Sequence, residues 1–157
     1  MKIKEVAVNN KRKAFEIQTD DKQYLFPYAK LEIKPSPKNR IRNVYIDAEL
    51  GSEAFSYELE SGDEGTVHID HILEYNRDPD YLRNILLYKL TLDVQKRVEE
   101  SSLSKRELIR RLKTSPAQFY RLLDQTNSSK SIDQLTSLLD ILDYDVDFVV
   151  RKRTAFA

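Results

Sequence analysis

Two stretches of the chain hold side chains dense enough to do chemistry. The first runs from His68 through Asp70 and His71 to Glu74 and brings together donor types that bind zinc. Read as a strand, it turns His68 and Asp70 one way and His71 the other, so the donors do not converge on a tetrahedral site. Asp47 with Glu49, and Glu58 with Glu60, each share a strand face, but no nearby lysine completes a nuclease-like arrangement, and a solvated sheet face accounts for them. No serine stands in a recognisable setting with either histidine, so a nucleophile and base are not paired. The second stretch, Leu103 to Asp124, is "LSKRELIRRLKTSPAQFYRLLD". It carries basic side chains on two short helical patterns, and its chemistry is different: gripping phosphate and reading the edges of bases.

Composition narrows the choice. There is no cysteine, which excludes disulfides, thiolate zinc sites and cysteine nucleophiles. Three glycines, none in a phosphate-loop pattern, exclude the common nucleotide-dependent enzymes. The formal charge is zero, so attraction to nucleic acid must be local. Locally it is strong: residues 105–130 carry seven basic and two acidic side chains, and residues 131–147 carry five aspartates and no base. Residues 1–42 are basic, and residues 43–78 strongly acidic. The opening "MKIKEVAVNNKRK" lacks the apolar core of a signal peptide, and no run approaches the ~18 apolar residues of a membrane span. The expectation is a cytoplasmic protein with no enzymatic activity, no metal and no cofactor.

Different periodicities divide the chain. Up to about Asn76 short alternating runs predict five or six strands in a small antiparallel sheet, with Asp20-Asp21-Lys22 and "SGDEG" as turns. Phe55, Tyr57 and Leu59 share one face there, and "TVHIDHILEY" returns as the last strand. Pro35 and Pro37 mark an irregular crossing. Asp78, Pro79 and Asp80 then open a helix running to about Ser101. Ser104 with Glu107 is a capping box, Ser115 caps a helix that begins at Pro116, and Ser131 opens another. The pattern closes on "DVDFVV", which predicts a strand with Val146, Phe148 and Val150 on one face. The expected organisation is a β module over residues 1–77, a linking helix over 78–101 and a helical module over 102–157.

Residues 89–148 resemble a lambda-repressor/Cro-type helix-turn-helix domain of the xenobiotic-response-element (XRE) family. The match rests on the Leu103–Asp124 stretch, a spacer, "SIDQLTSLLDILD" and the terminal "VDFVV". Buried positions Leu108, Leu112, Phe119, Leu122, Leu135, Leu138 and Leu142 carry the family's spacing, and the ending resembles antitoxin-like members. The resemblance implies an α+β chain in which a small antiparallel β module precedes an all-α, lambda-repressor-like helix-turn-helix bundle with a C-terminal strand. It also implies a sequence-specific transcriptional regulator, a repressor, binding a two-fold operator in double-stranded DNA as a homodimer.

Within that resemblance Ser115, Ala117, Gln118 and Arg121 are the base-reading positions. Gln118 suits an adenine edge, Arg121 a guanine and Ala117 a thymine methyl. Ser104, Lys105, Arg106, Arg110, Arg111, Lys113 and Tyr120 are the phosphate-contacting candidates. Two positions depart from the family. Lys113 stands where a glycine often ends the second helix, and Ile109 where an alanine lets the helices approach. The alternative reading is an antitoxin-like or adaptor protein, whose main partner is a protein engaged through the β module and whose DNA binding is weak or absent.

Overall fold

Alternation in the N-terminal half does build strands, but they form two sheets. β1 (Ile3–Asn9), β2 (Ala14–Thr19) and β3 (Gln23–Pro27) make one antiparallel meander. β4 (Ile41–Ile46), β5 (Ala54–Leu59) and β6 (Glu64–His68) make another. The computed structural model describes residues 1–154. Of these, 38% are helical and 24% strand. That overturns the expected fold class: the chain is not a small β appendage ahead of an all-α helix-turn-helix bundle with a closing strand, but a β-rich half of two sheets followed by helices. The contacts group the chain into two units, Met1–Leu82 and Arg83 onward.

The physical reason for two sheets lies in β5. Ala54, Phe55, Ser56 and Tyr57 are buried in succession, so both faces of this strand are covered, and a single sheet with one wet face would alternate instead. Phe15 of the first sheet packs on Phe55 and Tyr57 of the second, with ring centroids 4.7 and 5.5 Å apart. Buried Ser56 is satisfied by the Thr66 hydroxyl at 2.8 Å. Gly65 lies opposite Tyr57 in the β5–β6 register, and a Cβ there would come within 2.4 Å of the phenol ring. Only glycine leaves room for Tyr57 to donate its hydroxyl proton to the Ile33 carbonyl at 2.6 Å.

The last predicted strand is shorter than expected. β6 ends at His68, whose Nδ1 accepts from the Asp70 N–H at 3.2 Å and caps helix α1, Ile69–Tyr75. Ile69, Ile72 and Leu73 are its buried face, which is helical spacing and not alternation. Helix α2, Pro79–Glu100, then begins after Asp78. The Asp78 carboxylate is buried. One oxygen accepts from the Tyr81 N–H at 3.1 Å, and the other from Lys22 Nζ and the Tyr24 hydroxyl, both at 2.9 Å.

In the second unit, helices α3 (Lys105–Leu112), α4 (Pro116–Leu123) and α5 (Ile132–Ile141) share one apolar cluster with α2. Val94, Leu108, Phe119, Leu122, Leu135 and Leu138 form its buried centre. After α5 the expected strand is absent: residues 144–154 take no regular structure in the single chain, because no neighbouring strand offers them hydrogen bonds. Among the described residues, no helix is long and apolar enough to cross a membrane.

Candidate nucleic-acid interface

Capping serines set the start of each helix in this unit. Ser104 Oγ accepts from the Glu107 N–H at 3.1 Å, Ser115 Oγ from the Gln118 N–H at 3.2 Å, and Ser131 Oγ from the Gln134 N–H at 3.5 Å. Each cap satisfies a donor that a helix N-terminus would otherwise leave unpaired. Pro116 occupies the first turn of α4, where its missing N–H costs nothing. Between α3 and α4 the backbone turns at Lys113, which adopts the left-handed conformation with φ 56° and ψ 47°. A side chain pays for that conformation where glycine would not. Ile109 is accommodated half-buried at the edge of the cluster.

α4 has two distinct faces. Phe119 and Leu122 are buried, while Ser115, Ala117, Gln118 and Arg121 are all exposed. Among the described residues no hydrogen bond uses the side chain of Gln118 or Arg121. Both line a cleft of about 270 Å³ together with Asn127, Ser129, Ser131 and Gln134. Ala117 lies outside that cleft. Asn127, Ser129 and Gln134 escaped the sequence reading, although the polar run "DQTNSSKS" between α4 and α5 was their signal. Asn127 Oδ1 accepts from the Ser129 N–H and hydroxyl, which orders the loop beside α4.

The phosphate-contacting candidates fall into groups. Ser104, Lys105 and Arg106 are exposed at the start of α3, and Lys105 Nζ stands 5.8 Å from the centroid of the exposed Tyr120 ring. That contact joins the beginning of α3 to α4. Arg110 and Arg111 are exposed but engaged. Arg110 Nε donates to Glu107 Oε2 at 3.0 Å and Arg111 Nε to Oε1 at 2.9 Å. Hydrogen bonds from Arg110 first, then Arg111, pull the Glu107 carboxyl down to about 2. Arg111 and Lys113 border a different, open cleft shared with Asp133 and Asp140, whose carboxylates would repel a phosphate.

Lys130 belongs to the basic run in sequence but not to the surface. It is 8% exposed, and its ammonium donates to the carbonyl oxygens of Leu122 at 2.9 Å and Asp124 at 2.7 Å. Burial lowers its pKa from the ordinary 10.5. The cation therefore closes the C-terminal end of α4, where the helix dipole favours it. Gln95 of α2 adds a hydrogen bond to the Leu123 carbonyl. Among the described residues Lys105, Arg106, Lys113 and Arg121 make no ion pair, and of the phosphate- and base-contacting candidates they are the cations open to an anionic partner.

One member of each carboxylate pair of the first unit is engaged by the protein itself, and Asp47 and Glu49 lie beyond the end of β4, as Glu60 lies beyond β5, so neither pair shares a strand face. Asp47 Oδ1 accepts from the Glu49 and Leu50 N–H groups of a turn, and Glu58 pairs with Arg42. No family model, no curated protein and no solved structure matches this chain.

Proposed function

We propose that the chain is a sequence-specific DNA-binding transcriptional regulator, a repressor of the XRE, lambda-repressor/Cro type with antitoxin-like character. In this reading α3 and α4 are the helix-turn-helix pair, and α4, between Ser115 and Asp124, enters the major groove. The partner is double-stranded DNA with a two-fold operator, the regulator is a cytoplasmic homodimer, and it performs no catalysis and uses no cofactor. The observation that carries the reading is the division of α4: an apolar face locked into the cluster, and an opposite edge of exposed Ala117, Gln118 and Arg121 whose side chains make no hydrogen bond among the described residues. A reading helix needs that separation, because base contacts require side chains that the fold does not use. Lys105 and Arg106 at the start of α3 add the phosphate-gripping cations.

A second reading has its own observation. Glu107 occupies Arg110 and Arg111, and Lys130 is buried, so less positive charge meets the solvent than the sequence sum suggests. That favours an adaptor or antitoxin-like protein whose partner is another protein. Selection of genomic fragments on the full chain at ~150 mM salt separates the two, run beside the Gln118→Ala/Arg121→Ala double variant. The regulator reading expects a two-fold motif enriched by the natural chain and lost by the variant. Equal enrichment by both would sink the Gln118/Arg121 readout, and none by either would leave the adaptor reading standing.

A further inference from the structure

The chain leaves α5 through Asp143, whose φ of 67° turns the backbone so that the Tyr144 N–H donates to the Leu139 carbonyl at 2.9 Å. The Tyr144 ring packs against the Arg97 guanidinium, 4.7 Å from the centroid. Beyond this anchor no backbone hydrogen bond among the described residues involves residues 145–154. Phe148 is 80% exposed, Val149 81% and Val150 97%. Consecutive β-branched and aromatic residues in water, with unpaired N–H and C=O groups, form an edge that lacks its partner.

The pattern in this segment is self-complementary. When the segment beyond the anchor is extended, Val146, Phe148 and Val150 share one face. The other face bears Asp145 and Asp147 before its midpoint and Val149 and Arg151 after it. We propose that residues 145–151 pair antiparallel with the same residues of a second copy, about a two-fold axis at Phe148. That register sets Phe148 opposite the partner's Phe148 and Val146 opposite the partner's Val150. On the other face Asp145 meets the partner's Arg151, and Asp147 lies opposite the partner's Val149.

The alternatives are worse on simple grounds. Parallel pairing stacks each aspartate on its own copy, and like charges opposite one another are destabilising. Moving the axis to Asp147 sets that carboxylate against itself. Moving it to Val149 breaks the central aromatic pair and places Val146 against the partner's Lys152. An axis between residues mixes the apolar with the charged face. An isologous contact requires one patch to carry both halves of its complement, and this segment does. In a single chain these residues form no strand; the pairing belongs to two chains. It supplies a pairing surface for the homodimer of the DNA reading and rests on that reading for the two-fold operator alone.

The test is sedimentation equilibrium of the full chain without DNA, for the natural sequence and three variants: Asp145→Arg, Arg151→Asp, and both together. The expected association is concentration-dependent with a Kd on the order of micromolar, since a two-stranded ribbon is marginal by itself. Each single exchange turns two attractive pairs into two repulsive ones and should weaken association by roughly tenfold or more. The double exchange should return it to within about threefold. Rescue by a second substitution cannot come from misfolding, so a folding defect does not imitate the result. A chain that stays monomeric at ~500 µM, far above a micromolar Kd, would overturn the proposal. So would single variants that associate like the natural chain, or a double variant no better than either single one. A chain that lacks this pairing can still enrich a two-fold motif by assembling on DNA through another surface, so failure here and failure of the fragment selection are distinguishable.

Discussion

The Lys130 ammonium sits 2.9 Å from the Leu122 carbonyl oxygen, inside the helical unit and not on its surface. Lys130→Met removes this hydrogen bond and the one to Asp124, leaving the end of α4 without its cap. The expected loss is about 1–3 kcal/mol, read as a lower urea midpoint at unchanged slope. Duplex affinity should keep its dependence on salt, because this cation reaches no phosphate; a shallower slope would return Lys130 to the interface. The pKa also has a consequence. With its folded pKa below 10.5, Lys130 holds fewer protons when folded than when unfolded. Its contribution to stability therefore rises as pH climbs through the folded pKa toward 10.5.

Glu107 governs how much charge α3 presents. Glu107→Gln frees Arg110 and Arg111, and in the DNA reading should tighten binding to every duplex about three- to tenfold at low salt, with a steeper salt slope. Because Glu107 is drawn from 4.5 to about 2, its ion pairs are complete above 4.5 and are lost as pH falls through about 2. Fluorescence anisotropy on specific and unrelated duplexes is the measurement. Unchanged affinity for both would mean that neither arginine faces DNA.

Lys113 holds a left-handed backbone that glycine adopts without penalty. Lys113→Gly should raise stability by about 0.5–1 kcal/mol, the side-chain cost less the extra entropy of glycine in the unfolded chain. Denaturation of Lys113→Gly beside Lys113→Ala separates backbone from charge, since both lose the cation and only glycine relieves the turn. Equal midpoints for the two variants would refute the strain.

The Asp78 carboxylate ties β3 and the loop before it to the start of α2, and its titration is predictable in sign. The hydrogen bond from Lys22 is the largest cause of its lowered pKa, so its contribution is present above 3.8 and disappears as pH falls through the folded value. Burial first, then the hydrogen bond to Asp78, pushes Tyr24 up to about 12. That contribution is present below 10 and is lost between 10 and about 12. Asp78→Asn should flatten the acid limb and cost about 2 kcal/mol near neutrality. A thermal-melt series across pH checks both limbs; an unchanged acid limb in the variant would assign it to other carboxylates.

The helix starts were legible in the sequence because capping is local. Asp78 before Pro79, Ser104 before Glu107 and Ser115 before Pro116 announce themselves within four residues. The division of the strands into two sheets was not legible. Alternation specifies a strand but not what covers each face, and the successive burial of Ala54 through Tyr57 is a tertiary fact. The run from Ile69 was too short to tell period two from period 3.6, so α1 was read as strand. The terminal run "DVDFVV" has strand composition and no partner within its own chain. Charge misled at Lys130 and Glu107 for one reason: a local sum counts side chains without knowing which are buried or already paired.

The outward edge of α4 has an evolutionary consequence. Neither burial, capping nor hydrogen bonding within the described residues depends on the side chains of Ala117, Gln118 and Arg121, so their replacement costs the fold little. Phe119 and Leu122, interleaved with them, are held by the cluster. Drift and selection can therefore rewrite what this edge recognises, one residue at a time, while the helix that carries it stays in place.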